Sequence, residues 1–277
     1  MTRGSVKCLT ALRFTVAAHL RNRLALVLAI TFVPTWILVV RACAYGATLH
    51  FHEHAAGGII AASNNRVTQV NSALNAVTVI TGFMMFMEAF KSGPLDRRLV
   101  LAGFPRRYLM AGRVFALVVV AAVLAVYTAG LLELSWHQDQ FGALVLAIFA
   151  ANTAYGGIGL LLATLLRGEL EGFFVIIMLS LMDAALQNPG MNPLANQWGL
   201  RYVPMYTASQ SAYAASFTHV WPGSYLAGGL VWFIGCAAGG LLIFALRTHS
   251  YRRSSTHVGP RQTPANRRRD PVRLRVR

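Results

Sequence analysis

Charged side chains are scarce in this sequence. Asp, Glu, Lys and Arg make up 12 % of its 277 residues, about half the share usual in a soluble domain. Hydrophobic residues make up 56 %, more than the core of a soluble fold of this length can enclose. The composition therefore excludes a soluble globular protein and predicts a membrane protein.

Cysteine and lysine are rare, and common enzyme motifs are missing. Three cysteines, Cys8, Cys43 and Cys236, do not suggest a disulfide framework. No H-E-x-x-H, G-x-S-x-G or G-x-x-x-x-G-K-[ST] motif occurs, so we predict no catalytic residue, no metal and no cofactor. The only lysines are Lys7 and Lys91, which leaves almost no candidate for binding a phosphate. If ATP drives this protein, another chain must bind it.

Acidic residues are few, and the basic excess is unevenly distributed. Nine Asp and Glu stand against 25 Lys and Arg, a net charge of +16. Nucleic-acid-binding proteins can carry such a charge, but here the basic residues flank apolar segments or lie in one tail. The distribution favours membrane lipid as a partner and no nucleic acid.

Six apolar segments are candidate membrane spans and predict an all-α, polytopic fold. A hydrocarbon core of about 30 Å needs roughly 20 helical residues to cross it. The fifth segment is the shortest and contains Asp183, so its length alone leaves it ambiguous. The predicted spans are 24–45, 72–90, 114–133, 141–166, 172–187 and 224–246, within a transmembrane domain of residues 24–247.

The distribution of basic residues indicates that the fifth apolar segment crosses the membrane. With six spans, 22 basic residues lie on one side of the membrane and only Arg41, Arg66 and Arg201 on the other. This split fits the positive-inside rule, whereas five spans would move the arginine-rich tail outside. We therefore predict a multi-pass protein of the inner (plasma) membrane with both termini cytoplasmic.

The two terminal segments lie outside the spans. Residues 1–23 are predicted to form a cytoplasmic interfacial helix, with an irregular basic leader as the alternative. Cleavage of residues 24–45 as a signal peptide is disfavoured, because Arg41 falls where a small residue is expected. Residues 248–277 are rich in Arg, Ser, Thr and Pro and are predicted to be a disordered basic cytoplasmic tail. The apolar residues at helical spacing near the start are Val6, Leu9, Leu12, Val16 and Leu20.

The predicted outer segment 188–223 is rich in aromatic residues. Six of them follow one another at spacings of four, four, seven, four and four. This pattern favours short helices dipping back toward the bilayer, with a plain aromatic-rich loop as the alternative. The six are Trp198, Tyr202, Tyr206, Tyr213, Phe217 and Trp221.

The sequence HFHEH follows the first span. In an extended strand His50, His52 and His54 would share one side, and neutral imidazoles bind zinc or copper. Because no further ligands are evident around them, a solvated polar loop is the favoured interpretation.

Ionisable and small residues near the spans have modest predicted roles. Glu88 lies at the cytoplasmic end of the second span, where it is expected either to snorkel or to pair with Arg97 or Arg98, whereas Glu133 and Asp183 are expected to be hydrated. In the fourth span Gly159 precedes Ala163 by four residues, and Gly235 and Gly239 have the same spacing in the sixth. Close helix packing explains this spacing, and a dimer interface or substrate path is the alternative.

The segment 93–112 joins the second and third predicted spans and is longer than a minimal loop. Gly93–Pro94 predicts a break and the start of a new helix. Gly103 is suited to ending that helix, and Pro105 to starting the next one.

A short amphipathic helix is therefore predicted from Leu95 to Ala102. Leu95, Leu99 and Ala102 would line one side of it. Asp96, Arg97 and Arg98 would point elsewhere.

The string FMEAFKSGPLDRRLVLAGFPRRYLMAGRV resembles the segment between the second and third helices of ATP-binding-cassette type-2 permeases of the drug and lipid export branch. The layout is similar too: an N-terminal interfacial helix, six spans and a long outer segment before the last span. The region MDAALQNPGMNPLANQW…YVPMY is similar to that outer segment in some bacterial members. The resemblance covers most of residues 5–248. The long basic tail and the His-rich outer loop depart from the family pattern.

The resemblance implies a permease subunit whose 93–112 segment is a coupling element docked on a separate ABC ATPase subunit. It implies a complex of two permeases, identical or different, and two ATPases. The alternative for the basic residues is that they only set the orientation of the chain in the membrane. The alternative function is a stand-alone secondary carrier or channel. The residues it assigns to coupling are Glu88, Gly93, Pro94, Leu95, Arg97, Arg98, Leu99, Gly103, Pro105, Arg106 and Arg107.

Overall fold

The computed structural model describes residues 23–103, 105–192 and 197–255, and this part of the chain is mostly helical. A β-hairpin joins the first two helices through strands β1 (Thr48–Glu53) and β2 (Gly58–Ser63), and a 3-10 turn covers Trp198–Tyr202. The α-helices are α1 (Arg23–Cys43), α2 (Asn64–Leu101), α3 (Arg106–Ser135), α4 (Phe141–Leu165), α5 (Glu169–Gln187), α6 (Tyr206–Phe217) and α7 (Gly223–Ser255).

Four helices are long and apolar enough to cross a membrane. They are α2, α3, α4 and α7, which contain the second, third, fourth and sixth predicted spans. The first and fifth predicted spans correspond to α1 and α5. In α1 the described apolar stretch is the shorter Val27–Cys43.

The helix α5 has two contrasting faces. Its buried residues recur every three or four positions and include Gly172, Ile176 and Ser180. The opposite face exposes large apolar side chains, among them Phe174 and Met182. A helix with an apolar outer face is suited to lipid and not to water, which fits a membrane-embedded position for α5.

Short connections fold the long helices back on one another and give the bundle two ends. The hairpin end carries the β-hairpin, the 3-10 turn and α6. The elbow end carries the turn at residues 102–105 between α2 and α3, and the loop at 166–168 between α4 and α5.

The centre of the bundle is α4, which packs against α2, α3 and α7. The backbones of α2 and α4 approach closely where two glycines meet. A Cβ atom at Gly159 would lie 2.2 Å from the carbonyl oxygen of Gly82. The small residues of the fourth predicted span thus mark a close helix contact, whereas Gly235 on α7 faces open space within 4 Å.

Two sequence predictions meet a different outcome in the fold. The all-α prediction missed the hairpin, in which Thr48 pairs with Ser63 and Glu53 with Gly58 in antiparallel register. The predicted tail begins too early, since α7 continues to Ser255. The remainder of the tail and the predicted interfacial helix up to residue 22 lie outside the described residues.

Candidate functional site

The elbow, residues 88–113, comprises the last part of α2, the turn and the start of α3. The predicted break at Gly93–Pro94 is wrong, because α2 runs without interruption to Leu101. Pro94 lies inside α2 and lacks the backbone donor of other residues, but it does not end the helix. Two residues before Pro94, the Ser92 hydroxyl donates to the Glu88 carbonyl at 2.6 Å. The predicted amphipathic helix is therefore the end of a 38-residue helix and not a separate element.

The turn that closes the elbow follows the sequence prediction. The amide of Ala102 donates to the Arg98 carbonyl at 3.0 Å, and that of Gly103 to the Val100 carbonyl at 3.1 Å. Gly103 has a φ of +88°, a left-handed conformation that glycine adopts at little cost. Pro105 then occupies the N-cap position, and α3 begins at the next residue.

Arg113 on α3 connects the two arms of the elbow. Its guanidinium forms an ion pair with the Asp96 carboxylate on α2 and donates to the Ser92 hydroxyl at 2.5 Å. Asp96 is 6 % exposed and Arg113 7 % exposed. Asp96 points away from the exposed Leu95, as the sequence predicted. It is turned inward, where a buried carboxylate requires a cationic partner.

Glu88 belongs to the same cluster. It precedes Ser92 by four residues and Asp96 by eight, so the three lie on one face of α2. The Glu88 carboxyl lies within electrostatic range of Arg113 and Asp96. Glu88 was expected to pair with Arg97 or Arg98, but Arg98 is exposed and the Arg97 side chain lies outside the described part.

The tip of the elbow carries exposed apolar side chains. Leu95 is 59 % and Leu101 79 % exposed, and Ala102 and Gly103 are exposed beside them. Leu99 is half-buried, so the predicted apolar side of Leu95, Leu99 and Ala102 is turned partly outward. The Arg106 and Arg107 backbone starts α3, and their side chains lie outside the described part.

The HFHEH segment lies in β1 and the turn after it. His50 and His52 are exposed on one face of the strand, whereas Phe51 and Glu53 are buried on the other. The rings of His52 and His54 have centroids 4.8 Å apart. Among the described residues, no group of three or more His, Cys, Asp and Glu side chains is placed to hold a metal ion.

Hydrogen bonds of Glu53 and His54 stabilise the hairpin and connect it to α6. The Glu53 carboxylate accepts hydrogen bonds from the amides of Ala55 at 2.6 Å and Ala56 at 2.5 Å. The His54 amide donates to the Gln210 side-chain oxygen on α6 at 2.9 Å. Burial raises the pKa of Glu53, and the two amides oppose this. Burial and the nearby His52 and Arg201 lower the pKa of His54.

Polar side chains also connect helices inside the bundle. Asn75 on α2 donates to the Ser180 hydroxyl on α5 at 3.0 Å, and the Thr78 hydroxyl lies 2.8 Å from the same oxygen. Deeper along α2, the Thr81 hydroxyl donates to Asn152 on α4 at 3.2 Å. These bonds hold α2, α4 and α5 together, as interhelical polar contacts do in membrane proteins.

Asp183 is buried, contrary to the expectation from the sequence that it lies at a hydrated position. It is 1 % exposed, and its Oδ2 accepts hydrogen bonds from the Tyr155 hydroxyl and the Met205 amide, each at 2.8 Å. Glu133, the other residue expected at a hydrated end, accepts from the Gln138 amide at 3.0 Å and contacts His137 at 2.6 Å.

Sequence reasoning missed Arg113 and the burial of Asp183. Arg113 was counted only as one of the basic flanking residues. The signal that points to it is the spacing of Glu88, Ser92 and Asp96, which places them on one face of a helix. Two acidic side chains on a face that packs inward call for a cation on the neighbouring helix. Asp183 gave no such signal, because its partners are a distant tyrosine and a backbone amide.

No protein-family model matches this chain, and no curated protein matches it as a relative.

Proposed function

We propose that this chain is the permease subunit of an ATP-driven exporter and that its elbow docks on a separate ATPase subunit. The observation that carries the proposal is the elbow itself. It joins two helices through a buried ion pair and presents exposed leucines at its tip. The ion pair and the exposed apolar tip support the proposal, because a coupling element requires a fixed internal geometry and a surface that a partner can contact.

The proposed topology has six spans with both termini in the cytoplasm of the cell that makes the protein. Four helices are long and apolar enough to cross a membrane, and the apolar outer face of α5 supports a fifth. With α1 as the first span, the elbow lies on the cytoplasmic side with 22 of the 25 basic residues. That is the side on which ATP is available.

The tip of the elbow is suited to a protein partner. Leu95 and Leu101 expose apolar surface at the end of the bundle where the proposed topology predicts water. Exposed apolar surface rimmed by polar groups is typical of an interaction site. The exposed Arg98 lies on the same turn of helix, so the partner surface is expected to combine an apolar groove with an acidic rim.

The proposed division of labour places ATP hydrolysis on the partner. The sequence has no phosphate-binding loop and only two lysines. The chain would form the translocation path with a second permease copy and would itself catalyse no reaction. The few charges within the spans, together with the resemblance to the drug and lipid export branch, favour an amphipathic or lipid-like cargo.

The test is purification of the tagged chain from its native membranes in mild detergent, with measurement of ATP hydrolysis. A co-purifying subunit with a G-x-x-x-x-G-K-[ST] motif is expected. The double variant Leu95→Asp/Leu101→Asp is expected to lose that subunit and its stimulated ATPase activity while still inserting into the membrane.

Leu134→Asp is the matched control, because Leu134 is 84 % exposed at the hairpin end and should retain the partner. A stand-alone carrier or channel would purify without any nucleotide-binding subunit. Wild-type ATPase stimulation in the Leu95→Asp/Leu101→Asp variant would show that the elbow tip is not the docking surface.

A further inference from the structure

Two histidine rings lie against each other at the hairpin end. His52 is exposed on β1, and His54 is half-buried in the turn after that strand. The centroids of the two rings are 4.8 Å apart, and the ring planes are inclined by 52°. Side chains two positions apart lie on one side of an extended chain. The spacing His-x-His therefore brings these two rings together.

The separation of the rings is the one that two ligands of a single metal ion require. Zinc binds an imidazole nitrogen at about 2.0–2.1 Å, and other late transition metals bind it similarly. Two imidazoles on one ion then have ring centres roughly 4.5–5.3 Å apart, for angles of about 90–110° at the metal. The observed 4.8 Å lies inside this range. Small rotations about the side-chain bonds would thus suffice to aim one nitrogen of each ring at one ion.

The backbone that carries the pair is held in place from two directions. The Glu53 carboxylate accepts hydrogen bonds from the amides of Ala55 at 2.6 Å and Ala56 at 2.5 Å. These bonds fix the turn that contains His54. The His54 amide donates to the Gln210 side-chain oxygen on α6 at 2.9 Å. Ligands that are already positioned lose less conformational freedom when they bind, so this turn is a favourable place for a metal ligand.

The charges around the pair are compatible with a bound cation. Burial, His52 and Arg201 lower the pKa of His54, which favours the neutral imidazole that a metal binds. Arg201 repels a dication but is exposed, so water and salt weaken this repulsion. Both oxygens of Glu53 already accept from turn amides. Within the described ranges, His, Cys, Asp and Glu side chains form no group of three around a common point, so water would complete the coordination.

We propose that His52 and His54 form a binding site for a late divalent transition-metal ion, of which Cu²⁺ is the tightest-binding member. Nitrogen ligands prefer Cu²⁺ to Ni²⁺ and Zn²⁺. With two protein ligands, the other coordination positions are open to water or to an external ligand. The bound ion would connect β1 to the turn, and the His54 amide connects that turn to α6. This inference does not depend on the proposed function.

The test is titration of the full chain in nanodiscs with Cu²⁺, combined with electron paramagnetic resonance. The chain contains eight histidines, so it is purified with an affinity tag that contains none. The spectrum of the parent should show two imidazole nitrogens bound to copper. His52→Ala and His54→Ala should each lose this signature and weaken Cu²⁺ binding by at least about tenfold, because even the loss of a supporting residue beside a metal ligand costs about 10–100-fold.

His50→Ala is the matched control. His50 is exposed on the same face of β1, but its ring is not part of the contact between His52 and His54. This variant should bind Cu²⁺ as the parent does. Unchanged Cu²⁺ binding in either His52→Ala or His54→Ala, or an equal loss in His50→Ala, would overturn the proposal.

Thermal unfolding gives a second measurement that does not depend on the spectrum. An ion that binds only the folded state raises the melting temperature by mass action. Saturating Cu²⁺ should therefore raise the melting temperature of the parent and of His50→Ala, and should not raise that of His52→Ala. Because His52 is exposed, its replacement should leave the hairpin folded. An equal rise in the parent and in His52→Ala would contradict the site.

Discussion

Arg113 on α3 and Asp96 on α2 form a buried ion pair seventeen residues apart in sequence. The turn at residues 102–105 brings the two arms together, and Ser92 gives the guanidinium a further acceptor. Removing one member of a buried pair leaves the other charge uncompensated. The elbow is therefore a fixed joint and not a loose connection.

Arg113→Ala is expected to lower the free energy of unfolding by about 3 kcal/mol, because it leaves the Asp96 carboxylate buried without its cation. The double variant Asp96→Ala/Arg113→Ala should cost less than the sum of the two single variants by at least about 1 kcal/mol. Equilibrium unfolding in mixed micelles measures both. Arg98→Ala, at an exposed position, should stay within about 0.5 kcal/mol of the parent. Additive single effects would contradict the pairing.

Gly103→Ala is expected to destabilise the elbow by about 1–2 kcal/mol, because an L-residue is strained in the left-handed region. Gly93 is the matched control: it lies in the helical part of α2 with nothing within 4 Å of an added Cβ. Gly93→Ala should stabilise α2 by about 0.5–1 kcal/mol. The opposite signs are measurable in one unfolding series. A Gly103→Ala variant as stable as the parent would show that the turn does not require the left-handed conformation at residue 103.

Gly159→Ala is expected to force α2 and α4 apart, because its Cβ would lie 2.2 Å from the Gly82 carbonyl oxygen. Overpacking of this kind costs about 1–3 kcal/mol. Gly235→Ala on α7 meets open space and should not destabilise. Thermal unfolding of the two variants distinguishes them. Equal melting temperatures would mean that the two backbones can separate at no cost.

The contribution of His54 to the stability of the hairpin end should fall in mild acid. Burial, His52 and Arg201 lower the pKa of His54, so the folded state takes up a proton less readily than the unfolded state. The contribution of His54 to the free energy of unfolding is fully present above its ordinary pKa of about 6.5. It is lost as the pH falls through the lower pKa of the folded state. NMR titration of labelled histidines measures this shift. His52→Ala should move the His54 pKa upward, and an unchanged value would exclude His52 as a cause.

The helical part of the fold could be predicted from the sequence because apolar length is a local signal. The helices α2, α3, α4 and α7 coincide with predicted spans for this reason. Gly103 and Pro105 were also placed correctly, since their backbone restrictions act within a few residues. Gly93–Pro94 was misinterpreted because a proline marks a possible helix start, and the contacts that keep α2 continuous come from elsewhere.

The hairpin and the buried ionic groups could not be predicted because their causes are non-local. Strand β1 is stabilised by pairing with β2 and by packing of Phe51 against Tyr213, with ring centroids 5.6 Å apart. Asp96 and Asp183 look like surface residues in the sequence. Their burial depends on partners on other helices, Arg113 and Tyr155, which no local pattern reveals.

The length of α2 determines how far the elbow moves when the helix tilts. Its 38 residues make a helix of about 57 Å, nearly twice the thickness of a hydrocarbon core of about 30 Å. If the helix tilts as a rigid rod about the membrane midplane, its elbow tip is the longer lever arm. The predicted span 72–90 is centred on residue 81, so Leu101 lies about 30 Å from that pivot, and a tilt of about 10° would move it by roughly 5 Å. The other tip, at Asn64, lies about 26 Å from the same pivot, so a tilt of α2 would displace both ends of the bundle, with a slightly larger displacement at the elbow.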